Sequence, residues 1–181
     1  RARERLDHGP VICAEGFLFE VEKRGYLASG EFVTMVDDQV GNLLEHLKNL
    51  GLEEDKDIGS CQPKILSFEN KNHFEYAGAS GGYLDFLYYP FCRGRIFNHV
   101  EKDEGQYNSS KEIFWSSGAC FMIRNKLFKE LGGFDESFFA HMEEIDLCWR
   151  FNAMGYEVWV EPKAVVYHKN AVSLPMYTHR K

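Results

Sequence analysis

Apolar segments with the composition of β-strands alternate along this chain with segments of helical periodicity. Residues 31–36 form a short apolar run that leads into Asp37, and residues 43–50 then carry leucines at helical spacing. Further along, residues 143–154 form an amphipathic helical pattern that stops at Gly155. Strands that alternate with helices are typical of the α/β class, so we predict an α/β fold.

The same reasoning predicts the other elements of the chain. A helix is expected over 125–131, and Pro162 separates the last two strands. Residues 69–111 hold five glycines and many aromatic side chains without a regular pattern. This stretch is typical of ligand-facing loops, although core packing is the ordinary role of most aromatic residues. The remaining strands are expected over 61–68, 112–115, 120–124, 157–160 and 164–168.

Length and charge restrict the class of protein. A chain of 181 residues, 44% apolar and 27% charged, fits a single globular domain over 1–181. Its 21 basic and 28 acidic residues give a net charge of −7, which excludes a general nucleic-acid binder. No apolar run is long enough to cross a bilayer, and no leader opens the chain, so we expect a cytoplasmic protein.

The cysteines are odd in number, widely spaced and without a CxxC pair. Disulfide frameworks and zinc sites favour even or paired spacings. We therefore predict reduced thiols, mostly buried as small apolar side chains. They are Cys13, Cys61, Cys92, Cys120 and Cys148.

Polar side chains follow two of the predicted strands. Asp37 and Asp38 end the first, and His168 ends the last. Ligands of open α/β sheets bind beyond the carboxyl ends of strands, where carboxylates and an imidazole can hold a divalent cation. Asp is also common in turns, and a strand-end His often only bonds to water, so both interpretations stand at this point.

Four ionisable side chains open the best predicted helix: His141, Glu143, Glu144 and Asp146. Acidic residues suit a first helical turn because of the helix dipole, which is a purely structural explanation. The alternative is a carboxylate held there as a general base. His141 and Glu144 also resemble half of a metal motif, but the second His is missing.

An ordered run of motifs in this chain resembles the second half of the family 2, GT-A fold glycosyltransferases, in particular their rhamnosyltransferase-like bacterial branch. The resemblance covers roughly residues 30–173. The motifs are residues 58–66, GGYLD at 81–85, FWSSGAC at 114–120, GGFDESFF at 132–139, EEIDLCWR at 143–150, GY at 155–156 and PKAVVYH at 162–168.

The resemblance implies a GT-A-like, Rossmann-like mixed sheet flanked by helices. It also implies inverting transfer of a sugar from a nucleotide-diphosphate donor to a saccharide or lipid-linked saccharide in bacterial polysaccharide biosynthesis. Mg²⁺ or Mn²⁺ would neutralise the leaving diphosphate. A cytoplasmic protein of this kind can associate peripherally with the inner face of the cell membrane.

Matched residue by residue, the resemblance assigns four roles. Glu144 is the catalytic base that deprotonates the acceptor, while Asp38, Asp37 and His168 are the metal ligands. Asp146 has a structural role, because it can pair with Arg150 one turn later. The acceptor-binding set is Trp115, Ser117, Gly118, Ala119 and Glu143.

Two departures from the family pattern affect the predicted site. The metal motif is usually Asp-x-Asp or Asn-x-Asp, and the chain reads VDDQV over residues 36–40. One register makes Asp38 the main ligand, while another places Gln39 there and weakens the site. Residues 1–29 are also too few for the opening nucleotide-binding strands, so we expect a truncated or diverged domain without assigned nucleotide contacts.

Two other classes of function fit the same residues. A non-catalytic remnant would bind a sugar or a partner, and a metal-dependent hydrolase would use the same carboxylates and His168. The transferase interpretation predicts that Asp38 and His168 lie within metal-bridging distance. It also predicts that Trp115 and the loop over residues 78–105 line a groove leading to Glu144.

Overall fold

A computed structural model describes residues 11–13, 57–135, 137–138 and 142–168, with only the backbone described at 11–13 and at Asn125. Within these residues the chain forms two sheets and two helices. In chain order the elements are β1 (Val11–Cys13), β2 (Ile58–Ser67), β3 (Gly82–Leu84), β4 (Pro90–Cys92), β5 (Arg95–Ile96), β6 (His99–Val100), β7 (Lys111–Ile113), β8 (Phe121–Ile123), α1 (Asn125–Glu130), α2 (Glu143–Ala153) and β9 (Glu157–His168).

The larger sheet has five strands in the order β1-β8-β2-β9-β7. Strands β2 and β9 are parallel, whereas the other neighbours are antiparallel. Nine of the ten residues of β2 are buried, as expected for a central strand that is covered on both faces. Because α2 packs against β9, the described residues form a mixed sheet with helical cover, which confirms the predicted α/β class.

An irregularity at two prolines interrupts the β2–β9 pairing. Pro63 pairs with Glu161, but the next pair is Lys64 with Val165, so residues 162–164 have no partner on β2. Proline has no N–H to give to a ladder and is tolerated within sheets at such bulges. The predicted break at Pro162 is therefore corrected: one strand, β9, continues through it.

Helix α2 is held in place by Arg150. Its guanidinium lies 2.7 Å from Asp146, which confirms the predicted pair one helical turn apart. The same group donates hydrogen bonds to the carbonyls of Leu131 (2.8 Å) and Gly133 (2.9 Å). Arg150 thus supplies hydrogen-bond donors just beyond the end of α1, where main-chain carbonyls lack helical partners. These hydrogen bonds fix the position of α1 relative to α2.

The two faces of α2 differ in their surroundings. Leu147, Cys148 and Phe151 are fully buried and belong to the main core. Trp149, on the opposite face, is 45% exposed. The helix ends where Gly155 adopts a φ of 84°, which is the left-handed conformation that glycine adopts most easily.

The stretch expected to be irregular contains a second sheet. Strands β3 to β6 form a four-stranded antiparallel sheet in chain order. Two of its glycines permit close approach to the main core. A Cβ on Gly82 would lie 2.0 Å from Trp115 Cε2, and one on Gly94 would lie 2.6 Å from Phe74 Cγ. Larger residues would displace this sheet from the core.

The described cysteines behave as buried thiols. Burial raises the pKa of Cys148 to about 12 and holds the pKa of Cys61 well above its ordinary value, with a smaller contribution from nearby Glu161. The prediction of reduced, buried cysteines is confirmed for all four whose side chains are described. These are Cys61, Cys92, Cys120 and Cys148.

Some predictions concern residues that the structure does not describe. The strand over 31–36, the helix over 43–50 and the aspartates at 37 and 38 all lie outside the described residues. Within the described part, no helix is long and apolar enough to cross a membrane.

Candidate active site

A buried turn over residues 117–119 lies against the middle of β2. The Ser117 N–H donates to Gln62 Oε1 at 2.8 Å, and its hydroxyl donates to the Ala77 carbonyl. The Ala119 N–H in turn donates to Ser117 Oγ at 3.1 Å. Gln62 is fully buried on β2, so the turn has a fixed position on the sheet.

The start of helix α2 brings Glu144 to this turn. A Cβ placed on Gly118 would lie 3.6 Å from both Cδ and Oε1 of Glu144, which is ordinary van der Waals contact, so the carboxylate is a near neighbour of the turn. Ser117 and Ala119 are buried, whereas Gly118 is partly exposed. Of these three turn residues, only Gly118 offers surface beside the carboxylate.

A second carboxylate, that of Glu143, precedes Glu144 on the helix. Successive helical residues point about 100° apart, so the two side chains face different directions. Both are half-buried. Glu143 Oε2 is buried and has no hydrogen-bond partner among the described residues. Of the two, Glu144 is the one that the structure places at the Gly118 turn.

The carboxyl ends of β2 and β9 lie on the side of the sheet where the turn packs. Ala119 packs with Ile65 of β2, and Val166 of β9 packs against this cluster. His168 follows Val166 by two positions, so strand alternation places it on the same face. Its Nδ1 lies 3.5 Å from Glu75 Oε1. His168 therefore lies on the face of β9 that carries Val166, beside Glu75.

The residues around His168 fit part of a metal site. An imidazole nitrogen and a carboxylate are suitable ligands for a divalent cation, and Glu75 is only 2% exposed. Among the described residues no three His, Cys, Asp or Glu side chains come together as a metal site. Asp37 and Asp38 lie outside the described residues, so metal binding by these residues stays a prediction.

Sequence reasoning missed Glu75 and Gln62. Neither belongs to a motif with recognisable spacing. Glu75 lies in an aromatic stretch, and its N–H bonds back to the Ile65 carbonyl of β2. In the sequence, Gln62 is a polar residue within a predicted strand, and nothing beside it indicates a contact with Ser117. Their roles come from contacts across the fold, which local sequence does not reveal.

A groove of about 330 Å³ lies on the outer face of α2. The loop predicted to line a groove contributes three of its residues. The tryptophan that lines it is Trp149, whose ring lies 5.6 Å from that of Tyr88. The groove residues are Leu84, Tyr88, Pro90, Phe138, Met142, Ile145, Asp146 and Trp149.

Trp115 does not have the exposure that we expected. It is 5% exposed and belongs to the main core. Its indole N–H donates to the Tyr83 carbonyl at 3.0 Å, and its ring fills the space left by Gly82. Trp115 therefore packs against the small sheet, and the groove that we expected it to line is lined by Trp149 instead. A role of Trp115 in acceptor binding stays a prediction.

Residues 73–180 match the family described as "Glycosyltransferase like family 2". The match spans 108 of the 181 residues. The chain belongs to this family. The resemblance seen in the sequence motifs is thereby confirmed, and the mixed sheet agrees with a GT-A-like fold.

Curated relatives carry names from sugar transfer and surface-glycan biosynthesis. N-acetylglucosaminyl-diphospho-decaprenol L-rhamnosyltransferase of Mycobacterium tuberculosis is 39% identical over 81 residues, which is 44% of this chain and 26% of the relative. The O-antigen biosynthesis protein RfbC of Myxococcus xanthus is 30% identical over 125 residues, 65% of this chain and 9% of the relative. The pre-mycofactocin glycosyltransferase of Mycobacterium tuberculosis is 35% identical over 87 residues, 46% of this chain and 18% of the relative. The chain thus spans about a quarter or less of the length of these relatives.

Proposed function

We propose that this chain transfers a sugar, with inversion, from a nucleotide-diphosphate donor to a saccharide or lipid-linked saccharide. The carboxylate of Glu144 at the Gly118 turn is the observation that carries this proposal. The name of the mycobacterial rhamnosyltransferase, which specifies a lipid-linked acceptor, supports the acceptor class. We place the reaction in the cytoplasm, at the inner face of the membrane.

Glu144 is the base of the proposed reaction. The acceptor hydroxyl attacks the anomeric carbon, its proton passes to the Glu144 carboxylate, and the bond to the nucleoside diphosphate breaks. Attack from the face opposite the leaving group inverts the anomeric centre. The positive end of the α2 dipole favours a negative charge in the first turn, which suits a base at this position.

The other assigned residues hold the reactants. Gly118, beside the carboxylate, is assigned to the acceptor, and its neighbours Ser117 and Ala119 fix the turn. His168, with Asp37 and Asp38, is assigned to Mg²⁺ or Mn²⁺, and Glu75 is positioned to support His168. When bound, the cation supplies positive charge to the departing diphosphate.

The first test replaces the proposed base. We expect Glu144→Gln to lower turnover by about 10²–10⁴, because the side chain keeps its size but loses its basicity. Turnover is measured as nucleoside diphosphate release from UDP-glucose, GDP-mannose or dTDP-rhamnose with short saccharide acceptors. Glu143→Gln is the matched control and should retain most activity. Near-normal turnover in Glu144→Gln, with the loss appearing in Glu143→Gln, would show that the base is the neighbouring carboxylate.

Calorimetric titration with the same donors, with and without Mn²⁺, separates the alternatives. A transferase binds a nucleotide sugar more tightly with the metal. A non-catalytic remnant shows no donor binding. A metal-dependent hydrolase binds Mn²⁺ without preference for the nucleotide.

A further inference from the structure

The segment of residues 116–119 is hydrogen-bonded to one face of β2. Ser60 and Gln62 are two positions apart on this strand, so their side chains point to the same side. The Ser60 hydroxyl donates to Ser116 Oγ at 3.1 Å, and Gln62 Oε1 accepts from the Ser117 N–H at 2.8 Å. Two successive residues of the segment are therefore fixed by two side chains of one buried strand.

The same segment contacts one face of α2. Glu144 and Cys148 are four positions apart, so they lie one above the other on the helix. The Ser116 N–H donates to Cys148 Sγ at 3.4 Å, and Gly118 is a near neighbour of the Glu144 carboxylate. The segment thus lies between the central strand of the sheet and the proposed base.

The side-chain amide of Gln62 bonds at both of its ends. The side chain is fully buried, and besides Ser117 it bonds through Nε2 to the carbonyls of Pro63 and Gly78, each at 3.2 Å. A main-chain N–H can only donate and a main-chain carbonyl can only accept, so these partners determine which way the amide points. Glutamine supplies an acceptor and two donors at this one position.

Gly78, which Gln62 holds, is itself packed against Ser117. A Cβ on Gly78 would lie 2.1 Å from Ser117 Cβ, and the Ser117 hydroxyl donates to the neighbouring Ala77 carbonyl. Gln62 therefore fixes both the turn and the segment behind it. Without the amide, the buried Ser117 N–H would lose its acceptor, and an unsatisfied buried donor is costly enough for the turn to move.

We propose that Gln62 is a positioning residue for the Glu144 base and that it acts through the Gly118 turn. The turn is a near neighbour of the carboxylate, so a displaced turn changes the position from which Glu144 takes the proton of the acceptor. A misplacement of about 1 Å can lower a rate by about a hundredfold, even when the changed residue touches no substrate. This inference rests on the proposed function, because it concerns the base of that reaction.

A double-mutant cycle tests whether Gln62 acts through Glu144. Gln62→Met keeps a similar length without the amide, and we expect it to lower kcat by about tenfold to a hundredfold while the donor KM stays within about twofold. In the Glu144→Gln background the same substitution should change kcat by less than about twofold, because residues that act as a unit are not additive. A further loss of about tenfold in that background would overturn the proposal, because Gln62 would then act independently of the base.

Two variants separate positioning from a general loss of structure. Gln62→Glu should regain most of the lost kcat, because burial favours the protonated carboxyl, which can accept from Ser117 and still donate one hydrogen bond. Lys64→Met removes buried hydrogen bonds from the same strand, to Asp103 and Asn108, which belong neither to the turn nor to α2. We expect this control to keep its kcat within about twofold of the parent. Equal losses of kcat in Lys64→Met and Gln62→Met would overturn the proposal.

Amide hydrogen exchange, followed by NMR, tests the Gln62–Ser117 hydrogen bond without donor or acceptor substrate. The Ser117 N–H should exchange at least about tenfold faster in Gln62→Met than in the parent, because its acceptor is lost. Exchange within about twofold of the parent would overturn the proposal whatever the turnover. Gln62→Asn, whose amide is one methylene too short to reach Ser117, takes the place of Gln62→Met if circular dichroism shows that Gln62→Met does not fold.

The outcomes for this inference and for the proposed function are distinct. A loss of turnover in Glu144→Gln with none in Gln62→Met removes the positioning role of Gln62 and leaves the proposed function standing. A parent chain without turnover removes the proposed function, and with it the role of Gln62 in catalysis.

Discussion

The two sheets of this chain use their apolar residues in opposite ways. In the five-stranded sheet, β2 is buried over nine successive residues, and fully buried side chains such as Phe121 and Phe151 surround it. In the four-stranded sheet, Phe86 and Phe97 stand in solvent. Burial of apolar area is the main stabilising contribution to folding. The first sheet therefore provides stability, whereas the second leaves large apolar side chains exposed.

The two regions meet at a few close contacts. Gly82 meets the ring of Trp115, and Gly94 meets the ring of Phe74. On the core side, the buried amine of Lys64 on β2 bonds to Asp103, which follows the small sheet, at 2.8 Å. These contacts hold the small sheet against the core, while the ring of Tyr88 lies beside Trp149 of α2.

The largest predicted difference between the two sheets is in stability. Phe151→Ala should lower the free energy of unfolding by about 3–5 kcal/mol, because it leaves a cavity in the core. Phe97→Ala should change it by less than about 0.5 kcal/mol, because its ring makes few contacts. Urea denaturation followed by circular dichroism measures both. Equal losses would mean that the Phe97 ring is packed in solution and is not exposed.

The next largest effect concerns the ion pair that fastens the regions. Lys64→Ala should cost about 3 kcal/mol, because it leaves Asp103 and its neighbours without their buried cation. The control is Lys126→Ala, whose partner Glu130 lies 3.7 Å away on the exposed side of α1. That exposed pair should contribute about 0.3–0.5 kcal/mol. Similar losses from the two substitutions in urea denaturation would mean that the buried pair does not fasten the sheets.

The smallest predicted effect is a pH dependence of stability, which arises mainly from a cysteine of the main core. Burial raises the pKa of Cys148 in the folded protein to about 12, from an ordinary value of 9.0. The neutral thiol's contribution is therefore fully present below pH 9 and is lost as the pH rises toward 12, with a slope of up to about 1.4 kcal/mol per pH unit. Thermal melts between pH 8 and 11 should be less pH-dependent in Cys148→Ala than in the parent.

Cys92, in the small sheet, is the comparison for this measurement. Burial also raises its pKa, but the nearby Arg95 guanidinium opposes that shift. Cys92→Ala should therefore remove less of the alkaline dependence than Cys148→Ala. A larger effect at Cys92 would contradict the division between the two sheets.

Sequence patterns predicted the elements that can be recognised from a single stretch of the chain. Helix α2 was predicted because its apolar residues recur at helical spacing, and β2 was predicted as a strand over 61–68. The Asp146–Arg150 pair was predicted because residues four apart meet on any helix. The small sheet was missed because its strands are only two or three residues long, too short to show alternation. Pro162 led us to predict two strands where the structure has one, because the proline lies at a bulge within β9.

The candidate site was predictable only where the family motif supplied the position. Glu144 and Gly118 belong to separate motifs, and the fold brings them together. The burial of Trp115 could not be read from sequence, because it depends on Gly82, thirty-three positions earlier. Glu75 meets His168 only after β2 and β9 pair. Contacts between distant segments are the part that local patterns do not contain.

The β2–β9 pairing also has a consequence for the order in which the chain folds. Ile58 pairs with Glu157, so the two partners are 99 positions apart. The small sheet closes entirely through neighbouring hairpins, which form within microseconds when isolated. Long-range parallel pairing is slow, because the chain loses the entropy of loop closure before the stabilising contacts between the strands form. During synthesis, β2 therefore has its β8 partner before its β9 partner, and its pairing is complete only when the last described strand has emerged.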